Sequence, residues 1–200
     1  FFLQRILERV TGTAIGTLVR QRVFAPLAMA RSSMIPAADP DPLSATGHDG
    51  RGEPVADRSR AYRQELARRM AERGATLDDI RVEDAEQALR TVSPESPLFP
   101  NFLMPNAAAS LVTTANDFAR FLRHLVTAPR RGGAAALIVS DMLTPEVRCN
   151  ETIEWGLGVG LESHGASRSA WQWGDNPGFK NFFYADPASG KAMVVFSNGD

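Results

Sequence analysis

Hydrophobic positions in the first half of the chain recur with a helical period. Leu3, Ile6, Leu7 and Val10 fall at i, i+3, i+4 and i+7 and draw one apolar stripe along a helix, which Gly12 ends after Thr11. A second helix is predicted at once, capped by Thr13, burying Ile15, Leu18, Val19 and Val23, and stopped by Pro26. The two are expected to pack as neighbours. From Ile35 to Asp57 the pattern dissolves into prolines and glycines, which predicts a long surface excursion. Residues 58–92 are rich in Arg and Glu, yet Tyr62, Leu66 and Met70, then Ala85, Ala88, Leu89 and Val92, keep helical spacing. Two solvated helices interrupted near Gly74 are therefore predicted. After a proline-marked loop at 93–106, Phe118, Phe121, Leu122 and Leu125 predict a further helix headed by a capping box of Thr114 and Asp117. Ala134 to Met142 predicts a short helix before Pro145.

Beyond residue 150 the period changes from 3.6 to 2. In WGLGVGLE, Trp155, Leu157, Val159 and Leu161 alternate with Gly156, Gly158 and Gly160, which predicts one strand with a bare face. Further strands are predicted at 168–174, 179–185 and 191–197, the last two joined by the turn sequence DPASG. These connections are too short for helical crossovers, so the sheet is antiparallel. Helices first and a meander last predict an α+β layered fold.

Composition narrows the function. With 44% hydrophobic and 22% charged residues the chain can build a core, and its interspersed charges sum to -1. No basic field exists to concentrate nucleic acid or anionic lipid. No apolar run approaches the roughly 18–20 residues of a membrane-spanning helix, and the opening segment has no cleavage-site pattern. The single Cys149 cannot make an internal disulfide or a cysteine-based zinc site, and His48, His124 and His164 form no HExxH pair. No metal or cofactor is called for.

Nucleophile motifs are also missing. There is no GxSxG, GxGxxG or GxxxxGK. A Ser-x-x-Lys design would place a lysine one helical turn from the serine to take its proton. Pro177 and Ala188 stand three residues before Lys180 and Lys191, the only lysines, and Tyr62 and Tyr184 lead to Gln64 and Asp186 rather than to Asn. The chain shows no evident nucleophile.

The landmarks nevertheless resemble one family in order and spacing. FLQRILERVTG with VRQRVFAPLAMARSSM, then ATGHDGRGEPV, NAAASLVTTANDFARFL, WGLGVGLE and WQWGDNPGFKNFFYADPASGKAMVVFSNGD are similar to the serine β-lactamase-related hydrolases: class C β-lactamases, penicillin-binding-protein-like peptidases and related esterases. The resemblance covers nearly the whole chain, as the C-terminal part of one β-lactamase-like domain, apart from an insertion at about 57–97. It implies an antiparallel sheet flanked by helices with a helical subdomain, and an active site between the two. It also implies acyl transfer from an ester, amide or β-lactam through an acyl-enzyme, on a small-molecule or peptide substrate. The family's Ser-x-x-Lys and Tyr-Ser segments would lie upstream of residue 1, so the chain is expected to be truncated at both ends and inactive alone.

The resemblance also marks positions. The third family motif, Lys-Thr-Gly or His-x-Gly, is replaced by Trp173, Gly174 and Asp175. Neither Trp nor Asp can bind a substrate carboxylate as a cation would, which points toward uncharged or amine-bearing substrates. The residue after the triplet, Asn176, is expected to supply a backbone N–H to the oxyanion hole, with Pro177 and Gly178 forming a type II turn behind it. His48, in TGHDG, is expected to line the site. The 57–97 insertion is expected to be weakly anchored and to border the substrate entrance. The competing expectation is a non-catalytic module of the same fold, binding peptidoglycan-like ligands or a protein partner.

Overall fold

The computed structural model describes residues 2–39, 41–95, 104–165 and 167–200. The expected 57–97 insertion and the loop at 93–106 therefore lie partly outside the described residues. Two compact units divide the chain: Phe1–Thr46 with Val55–Thr114, and Gly47–Pro54 with Ala115–Asp200.

The first unit is helical. Helix α1 (Phe2–Thr11) ends at Gly12, whose φ of 67° is the left-handed conformation that suits glycine after a helix. α2 (Ile15–Val19) runs on through a π-helical turn to Phe24. The cap of α2 corrects the expectation. Thr13 makes no capping bond; the Glu8 carboxylate accepts the Ile15 N–H at 2.9 Å. Gln4 donates to the Pro105 carbonyl at 3.0 Å and accepts from the Ala107 N–H at 3.1 Å. These two polar side chains are the buried face of α1, and their burial is sustained because each satisfies backbone groups. The predicted stripe of Leu3, Ile6, Leu7 and Val10 is exposed, Leu3 by 69% and Val10 by 80%.

Residues 58–92 form α3 (Arg60–Glu72), a 3₁₀ turn (Leu77–Asp79) and α4 (Val82–Val92), with Gly74 at φ 66° between the helices. Their outer faces are solvated, but they are not weakly anchored. Tyr62, Leu66, Met70, Ile80, Ala85 and Ala88 close a buried cluster with Ile35 and Met104. Arg63, itself buried, donates to both oxygens of Asp57 at 3.0 and 2.7 Å and to the Ala37 carbonyl at 2.9 Å. Thr17 of α2 donates to Asp79 at 2.6 Å, and a Cβ on Gly16 would lie 2.5 Å from the Asp78 carbonyl oxygen. The 3₁₀ turn therefore sits backbone against α2.

The second unit is a six-stranded antiparallel meander in order β1 to β6, covered on one face by α5 (Ala115–Arg131) and α6 (Gly133–Met142). Its strands are β1 (Val147–Arg148), β2 (Ile153–Trp155), β3 (Gly160–His164), β4 (Ser167–Asn176), β5 (Phe179–Asp186) and β6 (Lys191–Ser197). The core joins Leu122, Leu125, Val126 and Ala128 of α5 to Val139 of α6 and to Val159, Leu161, Ala170, Phe183 and Ala185 of the sheet side. An α+β fold with an antiparallel sheet and flanking helices is thus observed.

The glycine-alternating segment is a hairpin rather than one strand. Trp155 pairs with Gly160, and Gly156 donates to the Val159 carbonyl at 3.0 Å. Three separate constraints select the glycines: a Cβ on Gly156 would meet the Met142 carbonyl oxygen at 2.1 Å, Gly158 holds φ 78°, and Gly160 lies under the Trp171 ring. Alternation here records turn geometry and close approach, not a two-faced strand.

Candidate functional site

The site is built at the far end of the β4–β5 hairpin. Pro177 and Gly178 form the expected two-residue turn, Gly178 at φ 77°, closed by the pair Asn176 and Phe179. That register sets Asp175 opposite Lys180, Gly174 opposite Asn181 and Trp173 opposite Phe182. Paired residues share a sheet face and alternate residues return to it, so Trp173, Asp175, Lys180 and Phe182 lie on one face.

Backbone direction follows the same alternation. The Trp173 N–H donates to the Gln172 side-chain oxygen at 3.3 Å, so it turns away from β5. Two residues on, the Asp175 N–H faces the same way, whereas the Asn176 N–H belongs to the pair that closes the hairpin with Phe179. Pairing between β3 and β4 stops at Gly160 with Trp171. Beyond Trp171, β4 therefore presents a strand edge that no described strand covers.

A second segment buttresses the turn. His48 donates its N–H to the Asn198 carbonyl at 2.9 Å, its carbonyl accepts the Asp200 N–H at 3.1 Å, and its ring Nδ1 lies 3.2 Å from the Asn198 carbonyl oxygen. Gly47 and Gly178 meet backbone to backbone: a Cβ on Gly178 would come 2.9 Å from the Gly47 Cα, and one on Gly47 would come 2.7 Å from the Phe179 ring. Asp49 holds the rest of this loop, its carboxylate accepting the N–H groups of Arg51 and Glu53 at 2.9 and 3.0 Å.

Charge gathers at this end of the sheet. The Lys180 ammonium donates to Asp175 and to Asp200, the latter at 2.8 Å, and the same Asp200 oxygen accepts the Gly178 N–H at 3.1 Å. Hydrogen bonds donated to Asp175 and then to Asp200 raise the Lys180 pKa, and the bond from Lys180 holds the Asp200 carboxyl below its ordinary value. The formal charges of Asp175, Lys180 and Asp200 sum to one net negative charge.

Of the residues marked in the sequence, His48, Asp175 and Asn176 come together around the turn, while Trp173 and Gly174 lie just behind it on β4. Trp173 is 61% exposed. Sequence reasoning missed Lys180 and Asp200. Lys180 was within reach, because a two-residue turn at 177–178 fixes the partner of Asp175; Asp200 was not, because it depends on the long-range bridge between His48 and Gly199. Among the described residues no group of three or more His, Cys, Asp or Glu is arranged to hold a metal. Nor is any helix long and apolar enough to cross a membrane.

Comparison with known proteins fits this architecture. The family model described as Beta-lactamase matches residues 2–200. The octameric penicillin-binding protein homologue from Pyrococcus abyssi is 15% identical over 98% of this chain and 36% of its own, with a TM-score of 0.65. The beta-lactamase/D-alanine carboxypeptidase from Pseudomonas syringae is 12% identical over 99% and 52%, with a TM-score of 0.65. The D-amino acid amidase from Ochrobactrum anthropi SV3, complexed with D-phenylalanine, is 21% identical over 98% and 48%, with a TM-score of 0.54. The chain thus spans between 36% and 52% of the length of these three structures. No curated protein matches it.

Proposed function

Because the chain belongs to the beta-lactamase family, we propose that it is part of a serine hydrolase that works through an acyl-enzyme on an ester or amide, an esterase or peptidase rather than a true β-lactamase. The observation that carries this reading is the uncovered edge of β4 running into the 176–179 turn, braced by His48 and Asp200. A strand edge with fixed amide groups is the type of donor that stabilises negative charge developing on a carbonyl oxygen. The names of structural neighbours support the reaction class, since they include an amidohydrolase, a carboxypeptidase and a β-lactamase.

In this reading the serine attacks the substrate carbonyl, the oxyanion is held by two backbone N–H groups, and water later releases the acyl group. Neither lysine of this chain follows a serine by three residues, so the nucleophile comes from a Ser-x-x-Lys segment outside it. The resemblance marks Asn176 as one oxyanion donor. The alternation along β4 favours its neighbour Asp175, whose N–H faces the uncovered side. In both readings the Trp173-Gly174-Asp175 segment forms the wall beside the reacting carbonyl, and His48 fixes the turn from behind.

The alternative is a binding module of the same fold with no reaction. Labelling the full-length protein with an alkyl phosphonate that modifies activated serines decides between them. The hydrolase reading expects one stoichiometric adduct on a serine that lies outside residues 1–200, and none on the 200-residue chain alone. A folded full-length protein that takes up no phosphonate supports the binding module instead.

A further inference from the structure

Resting on the acyl-transfer reading, we infer that Gly47 is a positioning residue of the site: its lack of a side chain sets where the 176–179 turn stands, and with it the backbone N–H that receives the oxyanion. The need for such a support follows from the strand ladders. β4 loses β3 beyond Trp171, and β5 pairs with β6 only as far as Lys180 with Ser197. The last pair, Asn176 with Phe179, and the turn at Pro177 and Gly178 therefore stand beyond both flanking strands. Either candidate donor, Asp175 or Asn176, lies within three residues of Gly178. Two supports of the same unit meet this overhanging turn, the Gly47–His48 segment and Asp200.

The contact leaves no room for a side chain on Gly47. A Cβ there would lie 2.7 Å from the Phe179 ring, 3.0 Å from the Gly178 carbonyl oxygen and 3.2 Å from the Gly178 Cα. Carbon atoms in contact settle at roughly 3.5–4.0 Å. The backbone of Gly47 does not itself require glycine, because its φ lies outside the left-handed region that Gly178 occupies at 77°. Space against the turn is what selects glycine at 47. Neither side of the contact gives way freely. The segment is tied to the residues after β6 by two backbone bonds, from the His48 N–H to the Asn198 carbonyl at 2.9 Å and from the Asp200 N–H to the His48 carbonyl at 3.1 Å. The turn is tied by its Gly178 N–H, donated to Asp200 Oδ1 at 3.1 Å. A methyl group at 47 therefore displaces the turn by roughly a few tenths of an ångström. Gly50, three residues on, is the matched contrast: its φ is also outside the left-handed region, and a Cβ there would meet nothing within 4 Å.

The test compares Gly47→Ala, Gly47→Val and Gly50→Ala in the full-length protein, with 4-nitrophenyl acetate as the ester probe and thermal unfolding to establish that each variant is folded. A misplacement of roughly 1 Å costs about 100-fold in rate, so alanine at 47 should lower kcat by about 3–10-fold and valine by more, each with KM changed by about twofold or less. The rate of alkyl phosphonate uptake, which draws on the same donor, should fall in parallel. Gly50→Ala should match the wild type in both. The amide resonances of Asp175, Asn176 and Gly178 should move in Gly47→Ala and stay in place in Gly50→Ala. Adding Phe179→Leu to Gly47→Ala relieves the overlap with the ring but not the one with the turn backbone, so the loss should persist. Full recovery in that double variant would assign the effect to the ring and overturn the inference, as would a loss carried by KM alone. Unchanged turnover and phosphonate uptake in Gly47→Ala, beside an active wild type, overturn the positioning role and leave the hydrolase reading intact. A folded wild type that neither hydrolyses the ester nor takes up the phosphonate overturns the hydrolase reading, and the positioning role falls with it.

Discussion

Helix α1 and the α3–α4 pair bury opposite kinds of side chain among the described residues. α1 carries the cleanest apolar stripe in the first half of the chain, and that stripe faces solvent while Gln4 and Glu8 are buried. α3 is crowded with Arg and Glu, and its sparse apolar positions Tyr62, Leu66 and Met70 are among the most deeply buried in the molecule. The stripe of α1 is an apolar face that the described residues leave largely uncovered. Buried polar groups on α1 follow a different rule: they sit where backbone N–H and C=O groups need partners. On α3 the charges stay outside and pair locally, Glu65 with Arg68 at 2.8 Å and with Arg69 at 2.7 Å, so a few apolar side chains suffice to anchor it.

Truncating one apolar residue in each helix should have very different consequences. Leu66→Ala in the 200-residue chain should cost about 2–5 kcal/mol, because the side chain is fully enclosed and leaves a cavity. Val10→Ala on α1 should change stability by about 0.5 kcal/mol or less, since that side chain is 80% exposed. Urea unfolding followed by helical circular dichroism reads both, and equal effects would show that the stripe of α1 is packed after all.

A smaller effect is expected from the polar side of α1. Glu8→Ala removes the acceptor for the first N–H of α2 and should cost about 0.5–2 kcal/mol, more than any single change in the exposed stripe. A neutral result in the same unfolding measurement would mean that water replaces the carboxylate without penalty.

The smallest expected effect separates the regions by pH. The Arg63 guanidinium holds the Asp57 carboxyl well below the ordinary carboxylate range, and bonds from Arg68 and then Arg69 bring Glu65 down to about 2. Groups whose folded pKa is lowered stabilise the fold fully above their unfolded value and lose that contribution as the pH falls through the folded one. Helical signal from α3 should therefore weaken between about pH 4.5 and 2, and Glu65→Gln should flatten the profile. A stability that rises with acidification would contradict the ion-pair assignment.

Much of the second unit was legible in the sequence, because antiparallel strands joined by short turns leave little freedom. Pro177 and Gly178 fixed the β4–β5 register, and DPASG fixed the β5–β6 turn, where the Gly190 N–H meets the Asp186 carbonyl at 2.9 Å. The glycine alternation at 156–160 misled, since period 2 is also produced by a tight hairpin whose glycines answer three unrelated constraints. The site was legible only where it is local. Asp175 and Asn176 follow from the motif and the turn, whereas the bracing of the turn by His48 and Asp200 joins residues about 150 positions apart and leaves no periodic trace.

If a backbone N–H at the end of β4 stabilises the oxyanion, replacing that residue with proline removes the donor. Asp175→Pro and Asn176→Pro are compared in the full-length protein, with thermal unfolding to establish that each variant is folded. The expected result is a fall in turnover of about 100–1,000-fold at the donor position with a much smaller change in KM. Strand alternation places that fall at Asp175. The same fall at Asn176 alone would move the donor one residue toward the turn, and two folded proline variants with wild-type turnover would contradict the claim.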